Sequence, residues 1–250
     1  MSHRPGDIGS VPAMSDTTSV SSISYRLEGD VAVIGLDDGK ANALSLALLS
    51  DLDAALDEAG TEAKAVVIAG RTGKFSAGFD LSVMTSGPEN ARELLGRGAE
   101  VGLRLFTYPK PVVLAVTGHA LAMGGILLCC ADYRVGADGP YKIGLNEVGI
   151  GMPVPRFAVE TCRARLSNHW FNRAIQLGYI HSPAEALEAG FLDEVVSDDA
   201  VLARAIEVAA GFGEWVHPTP FEITRRNIRG EVADRIRRDL AVDLGEFTVG

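Results

Sequence analysis

The sequence predicts an α/β fold with a C-terminal helical region, and three observations support this prediction. Short β-rich runs alternate with helical patterns from Ile23 onward. Such an alternation implies right-handed crossovers onto one mostly parallel sheet. After about Ala158 the pattern is almost entirely helical. The length of 250 residues is sufficient for one domain with a complete hydrophobic core.

The strands of the predicted sheet come from short apolar runs that end in glycine or polar residues. Residues 31–36 end before Asp38-Gly39, and residues 65–69 form a continuous apolar run closed by Gly70. Residues 112–117 are predicted as the next buried strand, and residues 133–135 as another. Continuous apolar runs are typical of strands that are covered on both faces of a parallel sheet.

The helices are predicted from apolar residues at helical spacing and from their end signals. Ser45 is expected to begin a helix, because Leu49, Leu52 and Leu56 share one face. A second helix is expected over residues 90–107, where the prolines that follow stop it. The remaining helical patterns cover residues 124–130, 167–177, 183–189, 199–211 and 221–240.

The composition is that of a globular chain with an acidic balance. Hydrophobic residues make up 47% of the chain and no apolar run reaches the length of a bilayer span, so no membrane association is expected. The 33 acidic and 23 basic residues give a formal net charge of −10, which disfavours a nucleic-acid partner. The three cysteines have no metal-binding spacing, so we expect no metal site and a reduced, cytoplasmic setting.

Both ends of the chain differ from its centre. Residues 1–22 are rich in Gly, Pro, Ser and Thr, and they are predicted to form a flexible N-terminal tail without a secretory signal. Near the other end lies an arginine group, expected to be the solvated face of an amphipathic helix whose opposite face carries Ile228, Val232, Ile236 and Leu240. The alternative is that some of these cations meet an anionic ligand across a subunit boundary. The arginines are Arg225, Arg226, Arg229, Arg235, Arg237 and Arg238.

The first segment that could carry chemistry is residues 70–81, a glycine-bearing loop that follows a buried strand. Its backbone can approach a ligand closely, because three of its residues lack a side chain. The segment does not match a phosphate-binding P-loop, since Lys74 follows the wrong glycine spacing. Ser76 is a poor nucleophile candidate, since a nucleophile elbow needs glycine at position 74.

The second segment is residues 110–125, which run from a strand through small residues into a helix. A helix start exposes unpaired N–H groups with partial positive charge, and these groups suit a carbonyl that becomes an oxyanion. Tight packing of the helix on the sheet is an equally good explanation of Gly124 and Gly125. His119 lies in this turn without an evident acidic or nucleophilic partner, and we expect a structural role for it.

The third segment is residues 141–153, where Glu147 stands in an apolar, glycine-rich loop. Burial in such surroundings would raise the pKa of its carboxyl group toward neutrality, which suits a group that moves protons. The competing interpretation is an ordinary glutamate on the solvated surface, as most single glutamates are. The spacing alone does not decide between these alternatives.

Taken together and in this order, five stretches resemble the crotonase, or enoyl-CoA hydratase/isomerase, superfamily. The resemblance extends over residues 23–196, predicted as the core, and more weakly over residues 197–250, predicted as a C-terminal helical oligomerisation region. The stretches are Asn42-Ala43-Leu44, Phe75-Ser76-Ala77-Gly78-Phe79-Asp80-Leu81, Lys110-Pro111-Val112 through Gly124, Ala131-Asp132-Tyr133-Arg134 and Ile143-Gly144-Leu145-Asn146-Glu147.

The resemblance implies a crotonase-type spiral of ββα repeats, assembled as a homotrimer or a dimer of trimers and acting on acyl-CoA thioesters. It implies no cofactor, because coenzyme A is part of the substrate. It assigns the oxyanion hole to the backbone N–H groups of Phe79 and Met123, where the Met123 side chain is expected to narrow the pocket. The substrate-binding positions that it implies are Lys40, Ala41, Ala77, Asp80, Leu81, Gly124 and Ile126.

The chain departs from the family pattern in its acids. Hydratases of the family use two glutamates, but the position of the earlier one is Ile126 here, and only Glu147 remains. One carboxylate suffices to move a proton from the α-carbon to the γ-carbon of a 3-enoyl thioester, as in the similar Δ3,Δ2-enoyl-CoA isomerases. The favoured activity is therefore a Δ3 to Δ2 isomerase. The alternatives are a hydratase with one glutamate and a non-catalytic acyl-CoA binding protein.

Overall fold

The computed structural model describes residues 22–246. The predicted tail lies outside the described residues except for Ser22, as do the last four residues of the chain. The strands are β1 (Ile23–Glu28), β2 (Val31–Leu36), β3 (Ala43–Leu44), β4 (Ala65–Ala69), β5 (Gly73–Ser76), β6 (Gly78–Phe79), β7 (Val112–Val116), β8 (Gly118–Leu121), β9 (Tyr133–Ala137), β10 (Ile143–Gly144) and β11 (Glu194–Val196). The α-helices are α1 (Leu46–Glu62), α2 (Leu81–Met84), α3 (Pro88–Thr107), α4 (Met123–Cys130), α5 (Arg156–Arg163), α6 (Asn168–Ile175), α7 (Pro183–Ala189), α8 (Val201–Trp215) and α9 (Pro218–Glu246).

The larger sheet has six strands in the order β1-β2-β4-β7-β9-β11. Only the pair β1 and β2 is antiparallel in this sheet, and its other neighbours are parallel. All five residues of β4 and all five of β7 are buried, because helices and loops cover both faces at the centre. The predicted mostly parallel α/β architecture is therefore confirmed.

A second, smaller sheet runs beside the larger one and contains β10, β8 and β5 in parallel, while β3 and β6 form a separate parallel pair. Along the chain, a strand of the larger sheet is repeatedly followed by a short strand and then by a helix, as in β7-β8-α4. This recurring unit is the ββα repeat that the resemblance implies. The short strands were not predicted, because two to four residues give no measurable alternation.

The C-terminal part is helical, as predicted, with two corrections. Strand β11 lies in the region expected to be helical, and it pairs with β9 at the edge of the larger sheet. Helix α5 begins at Arg156, before the expected boundary at Ala158. Helix α8 buries Val201, Ala205 and Ala209 against the larger sheet. The longest helix, α9, packs on α3 and α5.

The arginine group of α9 is not one solvated face. Arg225 is only 6% exposed, and its guanidinium pairs with Asp132, as does that of Arg229. Arg226, Arg237 and Arg238 are exposed, as expected. The expectation for Ile228 is wrong, since its side chain is 71% exposed. The prediction fails because α9 contacts the core partly through the ion pairs of Arg225 and Arg229 with Asp132, and a hydropathy pattern does not reveal such contacts.

Candidate active site

The first wall of the site is the turn between β5 and α2. Gly78 has φ of +94°, and a Cβ atom built on it would lie 2.8 Å from the Cβ of Ala122 and 3.3 Å from the backbone N of Met123. Only glycine fits such a conformation at such a distance. The absence of a side chain at Gly78 therefore allows the backbone just before Phe79 to lie against the start of α4, and this contact brings the two predicted amide positions close together.

The second wall is the start of α4. Met123 is the first residue of this helix, so its N–H has no acceptor within the helix and carries part of the positive end of the helix dipole. Ala122, just before it, has φ of 50°, which is uncommon for a residue other than glycine and indicates a constrained turn. A constrained turn fixes the direction of the amide that follows it.

The glycines of this segment serve helix packing, as the second interpretation of them expects. A Cβ on Gly124 would lie 2.5 Å from the carbonyl oxygen of Ser76, and one on Gly125 would lie 2.7 Å from that of Gly144. Helix α4 therefore lies directly on the strands β5 and β10. This close approach places the α4 start between the turn at Gly78 and the loop that carries Glu147.

A cavity of about 320 Å³ opens where these walls meet. Its lining is mostly apolar, and Glu147 is the one acid or base among the lining residues that the structure describes. The lining residues are Ala77, Phe79, Leu81, Met84, Thr85, Ala122, Asn146, Glu147, Ile150 and Met152. Larger grooves lie at the α8–α9 junction, away from both amides and from Glu147. The cavity beside the amides is the better candidate, because it brings a buried acid and the helix start together.

Glu147 is buried, with 7% of its surface exposed, so the interpretation as a solvated surface glutamate is wrong. Burial raises the pKa of its carboxyl group from 4.5 to about 7, and only its own backbone N–H opposes the rise. Its Oε2 atom has no hydrogen-bond partner within residues 22–246. The loop is held by the carbonyl oxygen of Glu147, which accepts from the N–H groups of Ile150 and Met152 at 3.0 and 2.9 Å.

The other predicted site residues divide into two groups. Ala77 and Leu81 line the cavity, and Asp80 lies between Phe79 and Leu81, where it caps α2. A hydrogen bond from the Ser82 hydroxyl, at 2.6 Å, lowers the pKa of the Asp80 carboxyl group. Besides Asp80, five predicted residues do not line the cavity, namely Lys40, Ala41, Met123, Gly124 and Ile126.

Those five residues sit close to the cavity walls. Lys40 is exposed, and the backbone carbonyl of Ala41 accepts from the N–H of Ala77 at 3.0 Å. Gly124 and Ile126 are buried in α4. Contrary to the expectation from the resemblance, the Met123 side chain does not narrow the cavity, because its methyl group points at Gly98 and Gly102 of α3.

Two residues with reactive side chains have structural partners. The Ser76 hydroxyl donates to the carbonyl of Asn42 at 2.8 Å and accepts from the N–H of Gly78 at 3.2 Å, so it orders the turn. The Nδ1 atom of His119 accepts from the N–H of Lys142 at 3.0 Å. The contact of His119 fits the structural role predicted for it, and the contacts of Ser76 fit the prediction that it is a poor nucleophile. The three cysteines are free and buried.

Sequence reasoning missed six of the residues that line the cavity. Asn146, Ile150 and Met152 flank Glu147 in the third segment, so their proximity to it was an available signal. Met84 and Thr85 follow the first segment, and only the pairing of the two turns brings them to the cavity. The sixth residue, Ala122, was missed because the pattern places it in a turn without showing that Gly78 faces it.

Residues 22–246 contain neither a candidate metal site nor a candidate membrane-spanning helix. No group of three or more His, Cys, Asp or Glu side chains in this part of the chain is arranged to hold a metal ion. None of the described helices combines the length and the apolar character needed to cross a bilayer.

Comparison with known proteins gives the class. The model of the enoyl-CoA hydratase/isomerase family matches residues 26–245. The chain belongs to this family, and it is therefore an enzyme of the crotonase superfamily.

Among the relatives of this chain, some are named isomerases and others hydratases. Mouse (Mus musculus) mitochondrial enoyl-CoA delta isomerase 1 is 34% identical over 225 residues, which are 87% of this chain and 77% of the mouse protein. A probable enoyl-CoA hydratase of Bacillus subtilis is 33% identical over 203 residues, 78% of this chain and 77% of the relative. The crystal structure of human mitochondrial delta3-delta2-enoyl-CoA isomerase superposes with a TM-score of 0.86 at 29% identity, covering 90% of each chain.

Proposed function

We propose that this enzyme shifts the double bond of an enoyl-CoA from the Δ3 to the Δ2 position, with Glu147 as its only acid and base. One observation carries the proposal: Glu147 is the single ionisable side chain that the described structure offers to the cavity, and burial holds its pKa at about 7. A group with this pKa can both accept and return a proton near neutral pH. The isomerase names of the mouse and human relatives support the same activity.

The reaction needs one proton to leave and one to return. The Glu147 carboxylate removes a proton from the α-carbon (C2) of the 3-enoyl thioester, and the electron pair spreads over the carbonyl oxygen and the former double bond. The resulting dienolate is protonated at the γ-carbon (C4) by the same carboxyl group. The product is the conjugated 2-enoyl thioester, and the carboxylate is regenerated without any cofactor.

The N–H groups of Phe79 and Met123 are proposed to hold the thioester oxygen while it carries negative charge. The contact between Gly78 and the start of α4 supports this role, because it brings the two backbone stretches together beside the cavity that Phe79 and Ala122 line. Donors fixed before the reaction stabilise the dienolate without reorganising. The helix dipole of α4 adds to the attraction at Met123.

Water is the competitor of this reaction, since adding it to the 2-enoyl product would make the protein a hydratase. In hydratases of the family a second glutamate orients this water, and the corresponding residue here is the buried Ile126. We propose that an apolar side chain at this position leaves the water without a base. The polar cavity residues Thr85 and Asn146 keep the one-glutamate hydratase as the second candidate, because either could hold a water molecule.

The decisive experiment offers the purified protein 3-hexenoyl-CoA and 2-hexenoyl-CoA separately. Ultraviolet absorbance follows the gain of conjugation from the first substrate, and mass spectrometry follows the addition of water to the second. We expect rapid isomerisation, with hydration slower by about 10²–10⁴-fold, the usual contribution of a positioned acid or base. Faster hydration would favour the hydratase, and no turnover with intact binding would favour the acyl-CoA binding protein.

The role of the acid is tested by Glu147→Gln. We expect kcat for isomerisation to fall by about 10²–10⁴-fold, because the amide cannot accept the α-proton. Binding of saturated hexanoyl-CoA, measured by calorimetry, should remain close to that of the unchanged protein. The matched control is Glu231→Gln, at a side chain of α9 that is 92% exposed, which should leave kcat unaltered. Full turnover by Glu147→Gln would refute the assignment.

We further propose that the enzyme is a homotrimer or a dimer of trimers and that it works in the cytoplasm. Exposed apolar side chains on the C-terminal helices, among them Trp215, Ile223 and Ile228, support an assembly through residues 197–250. The three free, buried cysteines suit a reducing compartment. Sedimentation equilibrium would give the subunit number directly.

A further inference from the structure

The ring of Phe79 stands between helix α3 and the cavity. On one side Phe79 lines the cavity. On the other side its ring lies against Gly98, so closely that a Cβ atom at that position would be 2.4 Å from both Cε1 and Cζ of the ring. Cβ atoms do not approach other carbons so closely, and the ring therefore occupies the space that a side chain at residue 98 would fill.

The backbone of Phe79 is fixed much more firmly than its ring. The N–H of Gly78 donates to the hydroxyl of Ser76 at 3.2 Å, and the N–H of Asp80 donates to the carbonyl of Leu44 at 3.1 Å. Phe79 itself pairs with Leu44 in the two-stranded sheet. A force on the ring would consequently rotate the side chain and leave the main chain in place, because rotation breaks none of these hydrogen bonds.

The direction of that rotation follows from the neighbours. Helix α3 blocks the ring on the Gly98 side, and close to Gly98 the methyl group of Met123 fills the interior. The open space next to Phe79 is the cavity, whose other lining residues include the apolar Leu81, Met84 and Ile150. A ring displaced from α3 would therefore move into the cavity and shorten it.

We propose that Gly98 is a positioning residue that sets how long an acyl chain the cavity accepts, by leaving room for the Phe79 ring to withdraw against α3. The inference rests on the proposed function in two respects, the acyl-CoA ligand and the position of its thioester oxygen at the N–H groups of Phe79 and Met123. The thioester end of the ligand lies at the backbone amides, which the ring movement spares. The far end of the acyl chain is the part that loses space.

The test compares two saturated ligands, butanoyl-CoA and octanoyl-CoA, by calorimetry with the unchanged protein and with Gly98→Ala. Each methylene group that is no longer buried weakens binding by about fourfold. If the displaced ring excludes about two methylene groups from the cavity, Gly98→Ala lowers the affinity for octanoyl-CoA by about tenfold or more. Butanoyl-CoA should bind almost as before. A general structural defect would weaken both ligands equally, and that result would overturn the proposal.

The matched control is Gly102→Ala, one helical turn further along α3. A Cβ atom at Gly102 would lie 3.5 Å from the Cys130 sulfur and from the Met123 methyl group, which are ordinary contact distances. This variant should bind both ligands like the unchanged protein. Both substitutions place alanine in a helix, which favours helix formation, so neither is expected to unfold the protein.

Two variants at Phe79 complete the test. Adding Phe79→Leu to Gly98→Ala should restore octanoyl-CoA binding, because leucine lacks the two ring atoms that meet the new methyl group. Phe79→Leu alone should deepen the cavity and raise the preference for octanoyl-CoA over butanoyl-CoA, and this holds whether or not Gly98→Ala folds. Absence of rescue together with an unchanged preference would overturn the proposal.

The outcomes separate this inference from the proposed function. A protein that binds octanoyl-CoA and responds to Gly98→Ala as expected, but does not turn over 3-hexenoyl-CoA, refutes the isomerase and retains the role of Gly98. An isomerase whose ligand preference is the same in Gly98→Ala and in the unchanged protein retains its function and refutes the role of Gly98. A chain that binds neither saturated ligand refutes both.

Discussion

Two buried carboxyl groups, Glu147 beside the cavity and Asp243 in the C-terminal helix, are equally covered and differently surrounded. Each residue is 7% exposed. The oxygens of Asp243 accept from the backbone N–H groups of Arg156 and Phe157 at 2.9 and 3.0 Å. The Nε atom of the Arg156 guanidinium lies 3.8 Å from Oδ1 of Asp243. Oε2 of Glu147, by contrast, has no partner anywhere in the described structure.

The contrast shows that burial alone does not determine what an acid does. Asp243 supplies the N-terminal cap of α5, where Pro155 offers no side-chain hydrogen bond, and so it joins α9 to the core. Glu147 has lost its hydration and gained no donor other than its own backbone N–H, and its affinity for a proton rises as a result. A satisfied carboxylate holds the fold together, whereas an unsatisfied one is available for proton transfer.

The largest expected effect concerns the pH dependence of isomerisation. Glu147 must be ionised to remove the α-proton, and burial raises its pKa to about 7. We therefore expect kcat/KM to be flat above pH 7 and to fall about tenfold for each pH unit below it, or about a hundredfold at pH 5. Initial rates at constant ionic strength measure this profile. A midpoint near 4.5 would show that Glu147 is solvated or paired in solution.

The next effect concerns stability. Since the pKa of Glu147 is raised from 4.5 in the unfolded chain to about 7 in the folded one, the folded state binds the proton more tightly. The stability that this tighter proton binding at Glu147 contributes is present at low pH and is lost as the pH rises from about 4.5 through 7. The Glu147→Gln variant has no carboxyl group that could lose the proton. Between pH 5 and pH 8, its free energy of unfolding should therefore rise by about 1–3 kcal/mol relative to that of the unchanged protein.

Urea unfolding of both proteins at pH 5 and pH 8 gives this difference. The comparison between two pH values removes the part of the effect that comes from burying an amide, because that part does not depend on pH. If the difference in unfolding free energy between Glu147→Gln and the unchanged protein is the same at both pH values, the pKa of Glu147 is not raised by folding and the contrast with Asp243 is wrong.

The smallest of the three effects is expected at Asp243. Asparagine keeps one acceptor oxygen and loses the charge at the start of α5, so Asp243→Asn should lower the free energy of unfolding by about 1–2 kcal/mol. The pH midpoint of kcat/KM should stay in place. The control is Asp234→Asn on the same helix, where the surface pair with Arg237 is worth at most about 1 kcal/mol. A shifted midpoint would mean that Asp243 acts on the site.

The sequence predicted the buried strands and missed the short ones for the same physical reason. The strands at residues 31–36 and 65–69 have the predicted bounds, because five or six consecutive apolar residues indicate burial by themselves. Strands β6 and β10 have two residues each and are strands only through partners distant in the chain. Helix α5 likewise depends on the cap from Asp243, some 86 residues away.

The site was predicted in part. Glu147 was found because a single acid in an apolar loop is conspicuous, but the sequence left open whether it is buried. Met123 was predicted from the resemblance and its side chain was expected to narrow the cavity, whereas that side chain points into the interior beside α3. The direction of a side chain depends on what packs against it, and no local pattern carries that information.

The sequence by itself determined the class of fold, the family and the presence of one acid where hydratases have two, because each of these is a local pattern of residue types. Only the tertiary structure decided that Glu147 is desolvated, that Gly78 meets the start of α4, and that Phe79 rests on Gly98. These are distances between segments far apart in the chain. They are set by the packing of helices on two sheets, in which the absence of a side chain at one position makes room for an atom from another.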